Sequence, residues 1–145
     1  MSCLNNCNYK STIEYYDTSV QAITATPSPL NLVGTKVTST GVSLSGAGSA
    51  ITVNKSGTYL LHTGITVQAT TAGVMTAQMR INGVLLPETL RAVTTPVGST
   101  RIDLDTVRFL QAGCASTPNV QVVISTDGTA VGTVTLVDGY AIKLA

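Results

Sequence analysis

The stretch Ile51-Thr-Val-Asn-Lys-Ser-Gly-Thr-Tyr-Leu-Leu-His-Thr-Gly-Ile-Thr-Val67 holds two runs rich in β-branched residues. A Lys55-Ser56-Gly57 turn separates them, and Tyr59 follows two residues past the glycine. β-Branched side chains lose χ1 freedom in a helix and fit the pleated surface of a sheet. Side chains alternate across a strand, so Tyr59, Leu61, Thr63, Ile65 and Val67 share one face. Leu60, His62, Gly64, Thr66 and Gln68 share the other. The first set predicts the core of a sandwich, the second an outer or inter-subunit face.

The same alternation extends in both directions. Val74 to Asn82 sets Met75, Ala77, Met79 and Ile81 against Thr76, Gln78, Arg80 and Asn82, and it ends in an Asn82-Gly83 hairpin signal. Leu85 to Val93 continues after that turn, with Pro87 marking an edge or bulge. Arg101 to Leu110 alternates with Ile102 and Leu104 inward, and then its apolar positions become Val107 and Phe109. A bulge near Asp105–Thr106 would account for that change of parity. Upstream, Ser19 to Ala25, Leu30 to Val33 and Val37 to Leu44 read as strands. Downstream, Asn119 to Thr126, Ala130 to Val137 and Tyr140 to Leu144 do so too. Eight to ten short strands with no helical period predict an all-β antiparallel sandwich, barrel or jelly roll. No fixed internal period points to a propeller or solenoid.

The 145 residues make one domain, with 24 Thr, 17 Val and 13 Gly, and only 10% of positions charged. A net charge of +1 argues against nucleic acid as a partner, because phosphate neutralisation needs many Lys and Arg. With no Trp and one Phe, base-stacking platforms are scarce. No apolar run reaches membrane-spanning length, and the start Met1-Ser-Cys-Leu lacks the pattern of a signal peptide. So weakly charged an apolar chain predicts burial of surface between subunits. Residues 1–17 show no strand pattern and carry Tyr9, Tyr15 and Tyr16, so they are expected to form an anchoring arm ahead of a domain at 18–145. The three rings are its natural partner anchors, since aromatics bury much area for little entropy.

Chemistry-bearing clusters are few. His62 is the single histidine, and its neighbours on its own strand face are Leu60 and Gly64 rather than a carboxylate. Asp103 and Asp105 lie two apart beside Arg101, which reads as an ion-pair ladder more readily than as an acid–base pair or a calcium site. Cys3, Cys7 and Cys114 fit reduced thiols, with an inter-subunit bond or a metal site as the alternatives. Asn54-Lys-Ser56 matches a glycosylation sequon only formally. P-loop, nucleophile-elbow and zincin motifs are absent, and one histidine is too few for a cupin-type metal centre. No catalytic residue, cofactor or metal ligand is assigned, and the chain reads as a non-enzyme.

Ser56-Gly-Thr-Tyr59, Asn82-Gly83, Leu110-Gln-Ala-Gly-Cys114 and Asp138-Gly-Tyr-Ala-Ile142 occur in an order that resembles the C1q/TNF-like jelly-roll head domains. The likeness spans roughly Ser19 to Ala145, and Cys114 stands where the family's turn usually has Asp. The scarcity of aromatics and the lack of a Gly-x-y stalk bring the chain nearer the bacterial and bacteriophage members, such as phage head-fibre or decoration proteins. The resemblance implies a homotrimer. It also implies a structural virion role, with the 1–17 arm joining the trimer to other virion proteins of capsid or tail. A receptor- or glycan-binding module, on a phage or bacterial surface with a host glycan as partner, is the alternative, and loops near 46–48, 70–73, 94–99 and 127–132 are expected outward. Leu60, His62 and Arg80 are the expected trimer-interface residues. Tyr59, Leu61, Ile65, Met79, Ile81, Val122, Ile124, Tyr140 and Ile142 are the expected interior.

Overall fold

The apolar alternations become strands in the computed structural model, which describes residues 11–32, 34–38 (backbone), 41–45, 48–113 and 117–145. Thirteen strand segments are present among them. They are β1 (Thr12–Asp17), β2 (Gln21–Ala22), β3 (Ser28–Pro29), β4 (Gly34–Thr38), β5 (Val42–Ser45), β6 (Ala50–Val53) and β7 (Gly57–Thr71). After them come β8 (Gly73–Ile81), β9 (Val84–Leu85), β10 (Arg91–Thr95), β11 (Gly98–Leu110), β12 (Asn119–Thr126) and β13 (Val131–Lys143). Two antiparallel sheets form. The first runs β11-β7-β13-β1-β4 with β2 beside β13, and the second runs β10-β8-β12-β6-β5 with β3 beside β12 and β9 beside β8. The architecture is an all-β jelly-roll sandwich.

Between the sheets lies one core. Tyr15, Tyr59, Leu61, Ile65, Val67, Ile102 and Leu104 point in from the first sheet, and Ile51, Val53, Met75, Met79, Val122 and Ile124 pack with them. Ile81 is partly buried at its margin. The Asn82-Gly83 turn joins β8 to β9 with φ of 51° and 82°, the left-handed values that this dipeptide tolerates. Pro87 opens a short 3-10 turn, Pro87–Thr89, so the continuous strand expected from 85 to 93 is divided into β9 and β10.

The N-terminal boundary differs from expectation. Residues 12–17 pair with β13 on one side and β4 on the other, with Ile13 and Tyr15 fully buried. The segment does alternate, Ile13 and Tyr15 inward against Thr12, Glu14 and Tyr16 outward, but the flanking polar residues disguise it. An anchoring arm of 1–17 is therefore corrected: β1 completes the first sheet, and Tyr15 is a core residue. Tyr9 lies outside the described residues, as do Cys3, Cys7 and Cys114.

The parity change also sits elsewhere. Strand β11 pairs with β7 without interruption from Gly98 to Leu110, so Thr106 stays inward and Val107 and Phe109 face out. The bulge lies instead in β13, where the register against β7 shifts between Val134 and Leu136. Beyond it Val137, Gly139 and Ala141 turn inward, while Tyr140 and Ile142, expected in the interior, lie on the outer face.

Candidate functional site: the outer face of the first sheet

Antiparallel register aligns the outward side chains of four strands into rows. Thr12, Ile142, Leu60 and Val107 form one; Glu14, Tyr140, His62 and Asp105 the next; Tyr16, Asp138, Gly64 and Asp103 the third. The first row is apolar at its β11 end, where Val107 is 55% exposed and Phe109, one position pair further along, 64%. Four of the chain's seven carboxylates stand on this face, at Glu14, Asp103, Asp105 and Asp138.

Charge is organised by the register. Asp105 accepts a hydrogen bond from His62 Nδ1 at 2.5 Å, and Asp103 lies 3.9 Å from Nε2. Tyr140 stacks on the imidazole with ring centroids 5.0 Å apart. Arg101 lies across Gly64, its NH1 in an ion pair with Asp138 at 2.7 Å and its Nε donating to Asp103 at 3.2 Å. A Cβ at residue 64 would meet only the flexible Arg101 guanidinium and push it aside. The hydrogen bond to Asp138 is the main cause that raises the Arg101 pKa above its ordinary value, against desolvation.

Beneath this surface a second arrangement fixes the strands. The Tyr15 hydroxyl hydrogen-bonds Thr63 Oγ1 at 2.6 Å and donates to the His62 carbonyl at 3.2 Å. Its ring fills the space over Gly139, where a Cβ would meet both the phenol oxygen and the His62 carbonyl. Burial pushes the Tyr15 phenol pKa well above its ordinary value, with the Thr63 hydrogen bond opposing. The Asp-Gly-Tyr tripeptide at 138–140 thus faces both ways: Gly139 admits Tyr15 below, while Asp138 and Tyr140 hold Arg101 and His62 above.

The expected site residues are divided by the fold. Leu60 and His62 are neighbours on this face, but Arg80 projects from β8 on the outer face of the opposite sheet, where its Nε donates to Gln121 at 2.8 Å. The sandwich separates those surfaces, so the three do not form one patch. His62 does have a carboxylate beside it, supplied across the ladder rather than along its own strand. Reading single strands misses such a neighbour, because the partner is set by register between residues 43 positions apart. Glu14, Tyr140 and Phe109 also join the face unannounced.

Chemically the face can bind, but it shows little that reacts. Among the described residues no hydroxyl or thiol is hydrogen-bonded to the His62 ring, and no three His, Cys, Asp or Glu side chains group to hold a metal ion. No helix among them is long and apolar enough to cross a membrane. At one end of the sandwich a cleft of about 300 Å³ opens between the β8–β9 turn and the end of β11, lined by Ile81, Val84, Leu86, Arg108, Phe109 and Leu110 among others.

No family model and no curated protein matches the sequence. Solved structures do match in shape. PRD1 vertex protein P5 aligns with a TM-score of 0.66 at 16% identity, over 93% of this chain and 97% of that one. Murine APRIL aligns at 0.65 and 13% identity over 94% and 100%. Eiger TNF from S. frugiperda aligns at 0.63 and 12% identity over 94% and 93%. The chain has a TNF-like jelly-roll fold.

Proposed function

We propose that this chain is a non-enzymatic structural subunit of a bacteriophage particle, a homotrimer that decorates the head or sits on a fibre or tail. The outer face of the first sheet carries the reading. Val107 and Phe109 are more than half exposed beside Leu60 and Ile142, on a sheet whose opposite face already packs the core. A solvent face of an antiparallel sheet is ordinarily polar. Exposed apolar side chains bordering an ordered charge ladder suit a surface covered by protein. Association of copies through it would bury the apolar row and account for a chain only 10% charged.

The fold likeness to PRD1 vertex protein P5 supports a place on the virion, and the TNF-like neighbours support an assembly and binding role. His62 paired with Asp105, with no nucleophile among the described residues bonded to the ring, supports a structural rather than catalytic use of the dyad. A glycan-binding reading finds no aromatic residue in the loops at 70–73, 94–99 or 127–132.

Two measurements test the proposal. Light scattering on the purified chain should return about three times the 14.9 kDa subunit mass. Antibody raised against it should label particles sedimented from producing cells, as seen by electron microscopy. A monomer at micromolar concentration removes the trimer. A chain that never co-sediments with particles removes the virion role.

A further inference from the structure

We infer that His62 makes association of the chains sensitive to pH: covering the outer face of the first sheet takes up a proton at this ring, so the assembly tightens as pH falls from 8 toward 6. The inference rests on the proposed association through that face and adds the condition that controls it. Any arrangement of copies that takes water off the face has the same effect.

Both ring nitrogens of His62 face carboxylate oxygen. Asp105 Oδ1 lies 2.5 Å from Nδ1, and Asp103 Oδ1 lies 3.9 Å from Nε2. A neutral imidazole has one N–H, so it donates to one carboxylate and turns a lone pair toward the other. The imidazolium donates from both nitrogens and satisfies the two together. Tyr140, stacked on the ring with centroids 5.0 Å apart, also favours the cation, because the face of its π system is negative. Imidazole is the side chain whose charge ordinarily changes between pH 5 and 8.

The groups around the ring come from three strands. Strand β11 supplies Asp103 and Asp105, with Arg101 beyond them; β13 supplies Tyr140 and Asp138; β1 supplies Glu14 and Tyr16. Among these, Arg101 is the fixed cation, and it already pairs with Asp103 and Asp138. Four carboxylates against one guanidinium leave a net charge of −3, which one proton on His62 reduces to −2. In the separate chain water screens these charges, with Asp103 and Asp105 each half-exposed. The apolar row of Leu60, Ile142 and Val107 lies directly beside them, so a contact that buries that row dries the charges too. Repulsion among the carboxylates then grows, and so does their attraction to an imidazolium. Covered carboxylates left without a cation are the costly alternative. The assembled state therefore binds more protons than the separate chains. By linkage, association strengthens as pH falls and weakens as pH rises.

Dilution of the intact chain at pH 8, 7 and 6 and constant ionic strength, read by mass, tests this. The concentration at which the trimer half-dissociates should fall by about tenfold or more from pH 8 to pH 6. His62→Gln, checked for an unchanged circular dichroism spectrum, keeps a polar side chain that cannot titrate, and its midpoint should move less than about twofold. Asp105→Asn keeps the ring but removes its nearer carboxylate, and its pH dependence should be several-fold smaller than that of the wild type; it carries the test if His62→Gln does not assemble. A wild-type monomer at every pH would overturn the trimer reading and this inference together. A wild-type trimer with the same midpoint at pH 8 and pH 6, or a variant that keeps the full wild-type dependence, would overturn the proton uptake alone.

Discussion

Replacing Tyr15 by Phe removes one oxygen from the centre of the first sheet and leaves the ring over Gly139. Tyr15 is 1% exposed, and so is Thr63, whose hydroxyl it meets at 2.6 Å. Loss of that bond, with Thr63 left short of a partner, should cost about 1–2 kcal/mol at pH 7. Alkaline pH alters the comparison. Burial raises the folded phenol pKa above 10.0, so the folded chain keeps a proton that the unfolded chain gives up. The stability tied to that shift is fully present below pH 10 and drains away as pH climbs toward the folded value. At pH 11, about one unit above the unfolded pKa, the wild type should have lost about 1.4 kcal/mol through Tyr15. Tyr15→Phe has no proton to lose there. Tyr59, also raised by burial, titrates in both proteins and cancels in the difference. Urea unfolding followed by circular dichroism should show a gap of about 1–2 kcal/mol at pH 7 that closes to near zero at pH 11. A gap of equal size at both pH values would refute the claim that Tyr15 is buried against Thr63.

Other consequences follow from the same framework. Deleting residues 2–16 strips β1 from between β13 and β4, and should abolish cooperative thermal unfolding; a truncated protein melting near the wild type would return the segment to the status of a detachable arm. Gly139→Ala forces a Cβ onto the His62 carbonyl and the Tyr15 hydroxyl, and should lower stability by about 1–3 kcal/mol, as overpacking does. Gly64→Ala displaces only the flexible Arg101 side chain, so its cost should stay under about 1 kcal/mol, the scale of exposed ion pairs. Equal melting temperatures for these two glycine variants would contradict the different surroundings assigned to them. Leu61→Ala should cost about 2–5 kcal/mol in chemical denaturation, and a loss typical of surface sites would mean that β7 is turned the wrong way round.

Period-two alternation in long segments decides secondary structure locally, because each strand must offer one apolar face to a core. For that reason the all-β class, the inward faces of β7 and β8, the Asn82-Gly83 hairpin and the inward Ile102 and Leu104 of β11 were legible from the chain alone. Short or polar strands escape the same reasoning. Thr12–Asp17 contributes just Ile13 and Tyr15 to the interior, and only its pairing with β13 and β4 reveals them.

The composition and local pattern of this sequence determined a sandwich with apolar surface to spare. Tertiary structure alone decided where that surface lies and what stands beside it. A bulge between Val134 and Leu136 moves every later side chain of β13 to the opposite face, and so brings Tyr140 onto His62 and Gly139 under Tyr15. Cross-strand register then sets Asp105 against His62 and Glu14 in the same row. Neither a bulge nor a register is encoded at any one position. Each results from packing two whole sheets around Tyr15, Tyr59 and the aliphatic core, which a strand read singly does not contain.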